Sequence, residues 1–328
     1  MIKIIGGAGF VGSHLQDILN SDFQVLDKII KKNTTINGFD FCDITQEETL
    51  KNYIYSEDYV VLLAAEHKDN VKPISKYYET NVQGTKNVLK IMDEVGCQKL
   101  IFTSSVAIYG LNKINPKEEF IPDPFNHYGK SKLEAEKIIH EWYMKNPDGK
   151  HVTIVRPTVI FGEKNRGNVY NLLNQICSGR FAVIGNGSNK KSMAYVGNVV
   201  NFIDYTINNS KPSYEVYNYT DTPDLSMNEL VSFVQNELSL KLPSIKIPVL
   251  LGDFFAMILD LISIIFRVEF PVSYVRVKKF IATTQFDSSK IRSSKWKAPF
   301  SLKKGLKRTI KYEFIDERSD SDKVFYTE

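Results

Sequence analysis

The feature that most constrains this chain stands at its beginning. The run Ile2–Ile5 is short, apolar and mostly β-branched, and passes directly into Gly6-Gly7-Ala8-Gly9-Phe10-Val11-Gly12. A buried parallel strand, a glycine turn and the opening of a helix read in that order. Glycines at 6, 9 and 12 serve close approach, because a Cβ holds the backbone and the helix N-terminus away from a bound pyrophosphate. Phe10 and Val11 belong to the same cofactor-binding loop. An acid follows where a second strand, Phe23–Leu26, ends: Asp27, 15 residues past Gly12, is placed to accept hydrogen bonds from an adenosine ribose. A carboxylate there repels a 2′-phosphate and so favours NAD over NADP, although Lys28 beside it pulls the other way.

Strand-like and helix-like stretches alternate up to Phe161. Further short apolar runs are Val60–Ala64, Lys99–Thr103 and Val152–Val155. Helical patterns lie at Gly12–Leu19, Thr85–Val95 and Lys130–Tyr143. In Thr85–Val95 the apolar residues Val88, Leu89, Met92 and Val95 recur at the 3.6 period. Such alternation implies a parallel sheet covered on both faces. The fold class is therefore α/β, a Rossmann-type doubly wound parallel sheet. We divide the chain into a dinucleotide-binding domain (1–161) and a smaller C-terminal α/β substrate-binding lobe (162–315), some of whose segments return to the sheet. A charged tail (316–328) is expected to fray.

A length of 328 residues fits two associated domains, and 43% hydrophobic residues supply an ample core. A formal charge of +4 with no dense Lys/Arg stripe does not point to nucleic acid. Cys42, Cys97 and Cys177 are far apart and odd in number, as in a reduced cytosolic chain. Neither they nor His14, His67, His127, His140 and His151 have metal-ligand spacing, so no metal is expected. The apolar N-terminus runs straight into the glycine loop without a cleavage region and reads as mature structure.

The chemistry lies further along. Tyr128-Gly129-Lys130-Ser131-Lys132 puts Tyr128 and Lys132 at i and i+4, on one helix face. A phenol of pKa ~10 is a poor base at neutral pH. A nearby ammonium, and the positive ring of an oxidised nicotinamide, favour the phenolate and lower that pKa. Upstream, the strand Lys99–Thr103 ends at Ser104-Ser105, where a serine hydroxyl can meet the same substrate oxygen.

Several motifs carry a resemblance. They are the glycine loop, Asp43-Ile44, Leu63-Ala64-Ala65, Asn81-Val82-Gln83-Gly84-Thr85, Ser104–Gly110, Tyr128–Lys132 and Arg156-Pro157. In this order and over nearly the whole chain, they resemble the extended short-chain dehydrogenase/reductase family. The resemblance implies Tyr128 as acid/base, Lys132 as its electrostatic partner and ribose contact, and Ser105 as hydroxyl donor. It also implies NAD as cofactor, held in addition by Asp43, Ile44, Ala64, Ala65, Asn81, Ser104, Pro157 and Val159. Family members commonly dimerise through the helices here at Thr85–Val95 and Lys130–Tyr143, so a homodimer is implied.

Dehydratases of the family carry Asp-Glu after the strand-end hydroxyl residue, where this chain has Val106 and Ala107, which can neither remove a proton nor expel water. A 4-epimerase needs only the residues present. The longer runs Leu62–Asp69, Asp123–Tyr128, Gly162–Asn171 and Lys190–Asn198 resemble epimerases acting on undecaprenyl-diphosphate-linked N-acetylglucosamine for surface polysaccharide (O-antigen). Two departures from UDP-sugar epimerases agree: Lys191 replaces one diphosphate arginine, and a second is replaced near Thr284. Lys191 still meets a diphosphate as a point charge. Asn165 and Asn168 are further candidates for the sugar or diphosphate, and Asn126 and His127 for the sugar. Trp142 and Trp296 read as packing residues.

Val249–Phe266 is the most hydrophobic stretch, with Asp253, Asp260 and Arg267 on one narrow stripe. With two aspartates it is a poor transmembrane span. It reads either as core or dimer packing, or as an interfacial helix making peripheral contact with the cytoplasmic membrane face. Three other functional readings stand beside the lipid-linked one: a UDP-sugar 4-epimerase, a keto-sugar or steroid-like oxidoreductase, and a non-catalytic dinucleotide-sensing scaffold.

Overall fold

The computed structural model describes residues 1–29, 38–68, 71–111, 113–179, 181–209, 211–240, 246–250, 282–317 and 323–327. Seven strands make the central sheet: β1 (Ile2–Ile5), β2 (Phe23–Asp27), β3 (Phe39–Phe41), β4 (Tyr59–Leu62), β5 (Lys99–Thr103), β6 (His151–Pro157) and β10 (Ser213–Tyr219). Their order is β10-β6-β5-β4-β1-β2-β3, and every neighbouring pair is parallel. The direction of winding reverses between β1 and β4, the kind of crevice in which doubly wound sheets bind ligands. All five strands read from the sequence are present, with ends moved by a residue or two.

The apolar runs are continuous because both faces of the sheet are buried. Ile4, Val61, Ile101 and Val155 point into one core, with Leu15 and with Val199 and Ile203 from α6 (Val196–Asn209). Ile5, Val60, Leu62, Leu100, Phe102 and Ile154 point into the other, against Val88 and Met92 of α3 (Gly84–Val95) and Ala135 and Ile139 of α4 (His127–Lys145). Trp296 and Trp142 pack one in each core.

Beyond β6 the chain builds the lobe on a smaller sheet. In it β9 (Lys190–Tyr195) lies parallel to β7 (Val159–Phe161) and antiparallel to β11 (Asp221–Ser226). Strand β10 is the segment that returns from the lobe to the main sheet. The expected fray at the C-terminus does not hold for 323–327: Phe325 pairs with Asn165 and exchanges backbone hydrogen bonds with Lys164 and Arg166. Of Val249–Phe266 only Val249 and Leu250 lie among the described residues, both exposed. Among the described residues no helix is long and apolar enough to cross a membrane.

Candidate active site

Most of the motif residues assigned to the cofactor lie at or beyond the carboxyl edge of a parallel strand. The glycine loop follows β1, Asp27 closes β2, Asp43-Ile44 follow β3 and Ala64-Ala65 follow β4. Ser104-Ser105 follow β5, while Pro157 ends β6 and Val159 opens β7. Asn81 lies off the strands, just before α3, and is fully buried.

The glycines have separate reasons. Gly6 has φ +84°, and a Cβ there would stand 2.4 Å from the Ala64 nitrogen, so the β1 turn lies directly on the β4 loop. A Cβ at Gly12 would stand 2.4 Å from the Gly7 oxygen, so this glycine lets the helix Phe10–Gln16 pack on its own loop. A Cβ at Gly9 would meet only the Gly6 oxygen, at 3.3 Å. Packing alone barely demands glycine there, whereas a diphosphate lying on the loop does. The buried Ser104 hydroxyl, at the same edge, lacks a hydrogen-bond partner, and so does that of Thr158 between β6 and β7. Such groups are costly unless something pairs them. An open glycine face and two unpaired hydroxyls fit a dinucleotide laid along this edge.

Asp27 is engaged differently from the expectation. Its carboxylate accepts from the Ala8 N–H at 3.0 Å and from the Ile29 N–H at 2.9 Å. It therefore fixes the glycine loop to β2, and any ribose hydroxyl uses its remaining lone pairs. Asn81 is also a bracket. Its amide oxygen accepts from the Glu66 N–H at 2.8 Å, and its Nδ2 donates to the Glu66 carbonyl and to the Ser131 hydroxyl, each at 2.9 Å. The Ala64-Ala65 loop and α4 are thereby joined. Asp43 accepts from the backbone and hydroxyl of Thr45, and the buried Ile44 packs where a Gly84 side chain would stand.

The reactive group is assembled by two short-range devices. The Asn126 side chain accepts from the Gly129 N–H at 2.8 Å, capping α4 and putting Tyr128 in its first turn. A Cβ on Gly129 would stand 2.6 Å from the Ala107 oxygen, so the head of α4 sits directly on the turn after β5. There the Ser105 hydroxyl accepts from the Ala107 N–H at 3.1 Å and hydrogen-bonds the Tyr128 phenol. One turn further, Lys132 is buried, donates to the Thr103 carbonyl at 2.6 Å and lies 4.4 Å from the Phe102 ring centre.

The three residues read as catalytic therefore converge at one strand end, where burial acts against the lowering expected of the lysine and the nicotinamide ring. Burial pushes the Tyr128 phenol up to about 12, opposed only by the Ser105 hydrogen bond. Burial brings the Lys132 amine down to about 7, with the Glu136 carboxylate opposing. The lysine is bonded to Thr103, and desolvation outweighs its influence on the phenol. Glu136 was not among the expected site residues, yet it continues the Tyr128, Lys132 series by another four. It holds Arg156 in a buried pair, Nη2 to Oε2 at 2.6 Å, and Arg156 in turn donates to Tyr109 at 2.7 Å.

In the lobe, Lys191 and Thr284 are paired as an isolated parallel bridge, so the two positions that depart from the UDP-sugar pattern are neighbours. The Lys191 amine donates to the Ala282 carbonyl at 2.6 Å, and burial lowers it to about 8. Asn168 is exposed at the start of α5 (Asn168–Cys177). Asn165 is not open to a substrate. It is buried, donating to the Ile160 carbonyl at 3.1 Å and accepting from the Thr327 hydroxyl at 2.7 Å. The exposed His127 ring bonds the Tyr78 hydroxyl at 3.0 Å beside the head of α4.

Comparison with known proteins agrees with this geometry. Residues 2–219 match the family described as "NAD dependent epimerase/dehydratase family". The chain is 50% identical to the N-acetyl-alpha-D-glucosaminyl-diphospho-ditrans,octacis-undecaprenol 4-epimerase of Escherichia coli O157:H7, over 100% of this chain and 99% of that protein. It is 27% identical to a UDP-glucose 4-epimerase of Vibrio cholerae, over 94% of each chain. Among solved structures, the UDP-glucuronic acid 4-epimerase of Bacillus cereus in complex with NAD superposes with a TM-score of 0.72. At 20% identity, over 95% of this chain and 97% of that one, this likeness shows the fold.

Proposed function

The chain belongs to the NAD-dependent epimerase/dehydratase family, and within it we propose a 4-epimerase that interconverts N-acetylglucosamine and N-acetylgalactosamine linked to undecaprenyl diphosphate. The observation that carries the chemistry is the convergence of Ser105, Tyr128 and Lys132 at the end of β5 with Val106 and Ala107 beside them. Such a site has a proton acceptor and an orienting hydroxyl, but no second carboxyl group with which to expel water.

The dinucleotide, when bound, supplies reversible oxidation at C4 and, in its oxidised form, a positive ring that favours phenolate. The chain's own residues handle the proton. Tyr128 takes it from the C4 hydroxyl and later returns it. Ser105 aligns that hydroxyl, and Lys132, one turn further along α4, carries an amine that burial brings down to about 7. The glycine loop, Asp27 and the unpaired Ser104 hydroxyl would hold NAD.

Two features favour the lipid-linked substrate over a UDP sugar: the full-length similarity to the undecaprenol epimerase, and the Lys191–Thr284 pair in place of two arginines. One lysine recognises a diphosphate as a point charge, without the bidentate fork of arginine. A substrate held in the bilayer would bring the enzyme to the inner face of the cytoplasmic membrane, with the exposed Val249 and Leu250 among the residues able to meet it. A homodimer through α3 and α4 completes the reading. The test offers purified protein both undecaprenyl-diphosphate-linked and UDP-linked N-acetylglucosamine and follows the C4 epimer ratio. Conversion of the lipid-linked sugar is expected, and conversion of the UDP sugar alone overturns the proposal.

A further inference from the structure

The last described residues run across two loops that meet at the cofactor edge. Lys323 donates to the Ala8 carbonyl, inside the glycine loop, at 2.9 Å, and its ammonium lies 4.8 Å from the centre of the Phe325 ring. The Phe325 ring lies 5.9 Å from that of Phe10, the first residue of the helix after the loop. Its N–H donates to the Lys164 carbonyl and its carbonyl accepts from the Arg166 N–H, each at 2.8 Å. Thr327 bonds Asn165 and fills the space beside Gly167, where a Cβ would stand 2.2 Å from the threonine oxygen. A five-residue crossing thus ties the glycine loop to the loop that opens the lobe.

From this we infer that Lys323 is a cofactor-retaining residue, the cation that the C-terminal segment brings to the loop on which the NAD diphosphate lies. The loop itself, Gly6 to Gly12, contains no cation. His14, nearest in the helix beyond, is held towards its neutral form by burial. The loop N–H groups and the helix N-terminus offer a dianionic diphosphate only partial positive charge, and Lys323, held there by a carbonyl and a ring, supplies a full one. An epimerase benefits particularly, because the dinucleotide reduced in the first half-reaction must remain until it returns the hydride to the same keto sugar. The inference rests on NAD dependence and not on which sugar is turned over.

The test is the dissociation rate of NADH from the full chain, followed by loss of its fluorescence on chasing with excess NAD, without sugar. Lys323→Met is expected to speed release at least fivefold, and Lys323→Arg to restore most of the loss. Raising the salt from 50 to 500 mM is expected to speed release from the parent and much less from Lys323→Met, since screening acts only on a charge that is present. A merely structural anchor leaves that salt response unchanged. Removal of residues 323–328 is expected to speed release tenfold or more. Release from Lys323→Met within twofold of the parent overturns the assignment, whatever the truncated chain does.

Discussion

Replacing Lys132 with methionine is expected to stabilise the protein while disabling it, and the size of the effect follows from the site. The amine is buried and held at about 7, against 10.5 for a free lysine. A folded-state pKa below the unfolded one means that the unfolded chain binds more protons between those values. Stability therefore rises as the pH climbs from 7 towards 10.5, and below 7 the whole cost of holding a buried ammonium is present. That cost is about 5 kcal/mol at pH 6, falling to about 2 kcal/mol at pH 9. Methionine has similar bulk and no charge. It leaves the Thr103 carbonyl without its donor, at about 1–3 kcal/mol, but this loss does not vary with pH. Lys132→Met is thus expected to exceed the parent by about 2–4 kcal/mol at pH 6, with the advantage narrowing by about 2–3 kcal/mol at pH 9. Urea unfolding of matched dinucleotide-free samples, followed by fluorescence of the buried Trp142 and Trp296, measures both. The narrowing is the diagnostic quantity. A gap that stays constant within about 1 kcal/mol between the two pH values refutes the claim that desolvation governs this lysine.

Other expectations follow from single contacts. Tyr128→Phe is expected to bind NAD as the parent does while kcat falls by about 10²–10⁴-fold, read from calorimetry and from the epimer ratio. Gly12→Ala sets a Cβ 2.4 Å from the Gly7 oxygen and is expected to lose about 1–3 kcal/mol or more, seen as a lower Tm; an unchanged Tm disproves the packing argument. Glu136→Gln leaves the Arg156 guanidinium buried without its countercharge and is expected to lose about 3–5 kcal/mol in denaturant unfolding. It also withdraws the charge that raises Lys132, so any titration of the site near pH 7 is expected to move lower, as a pH–rate profile reports.

Much of the sheet was legible because its strands are buried on both sides and so appear as unbroken apolar runs. Strands β3 and β10 were not singled out for the converse reason. Phe39–Phe41 is three residues long, and Ser213–Tyr219 alternates polar and aromatic residues at a half-covered edge. The Tyr128/Lys132 pair and the glycine loop were legible because helical spacing and backbone approach are local properties. What could not be read locally was how each polar group is engaged. Asp27 and Asn81 spend hydrogen bonds on the protein's own backbone, and Asn165 is covered by Thr327, 162 residues away. Lys323 sits in a charged C-terminal stretch that looks like any solvated tail until the fold lays it against Ala8. Spacing likewise reports proximity but not the cost of excluding water, so the burial that raises the Tyr128 phenol against the lysine and the nicotinamide ring could not be read from it.

One detail of the architecture bears on how a sugar can be turned. Two of the crossings between the main sheet and the lobe are single-residue links, Thr158 between β6 and β7 and Thr220 between β10 and β11. The Thr158 N–H donates to the Tyr219 carbonyl at 3.0 Å, so the two links are stitched side by side. Adjacent crossings bonded to one another make a seam rather than a hinge, and the two halves of the cleft cannot swing apart there without tearing the edge of both sheets. For the proposed epimerisation, presenting the opposite side of the ring is then expected to fall to a turn of the sugar itself rather than to a swing of the lobe at this seam.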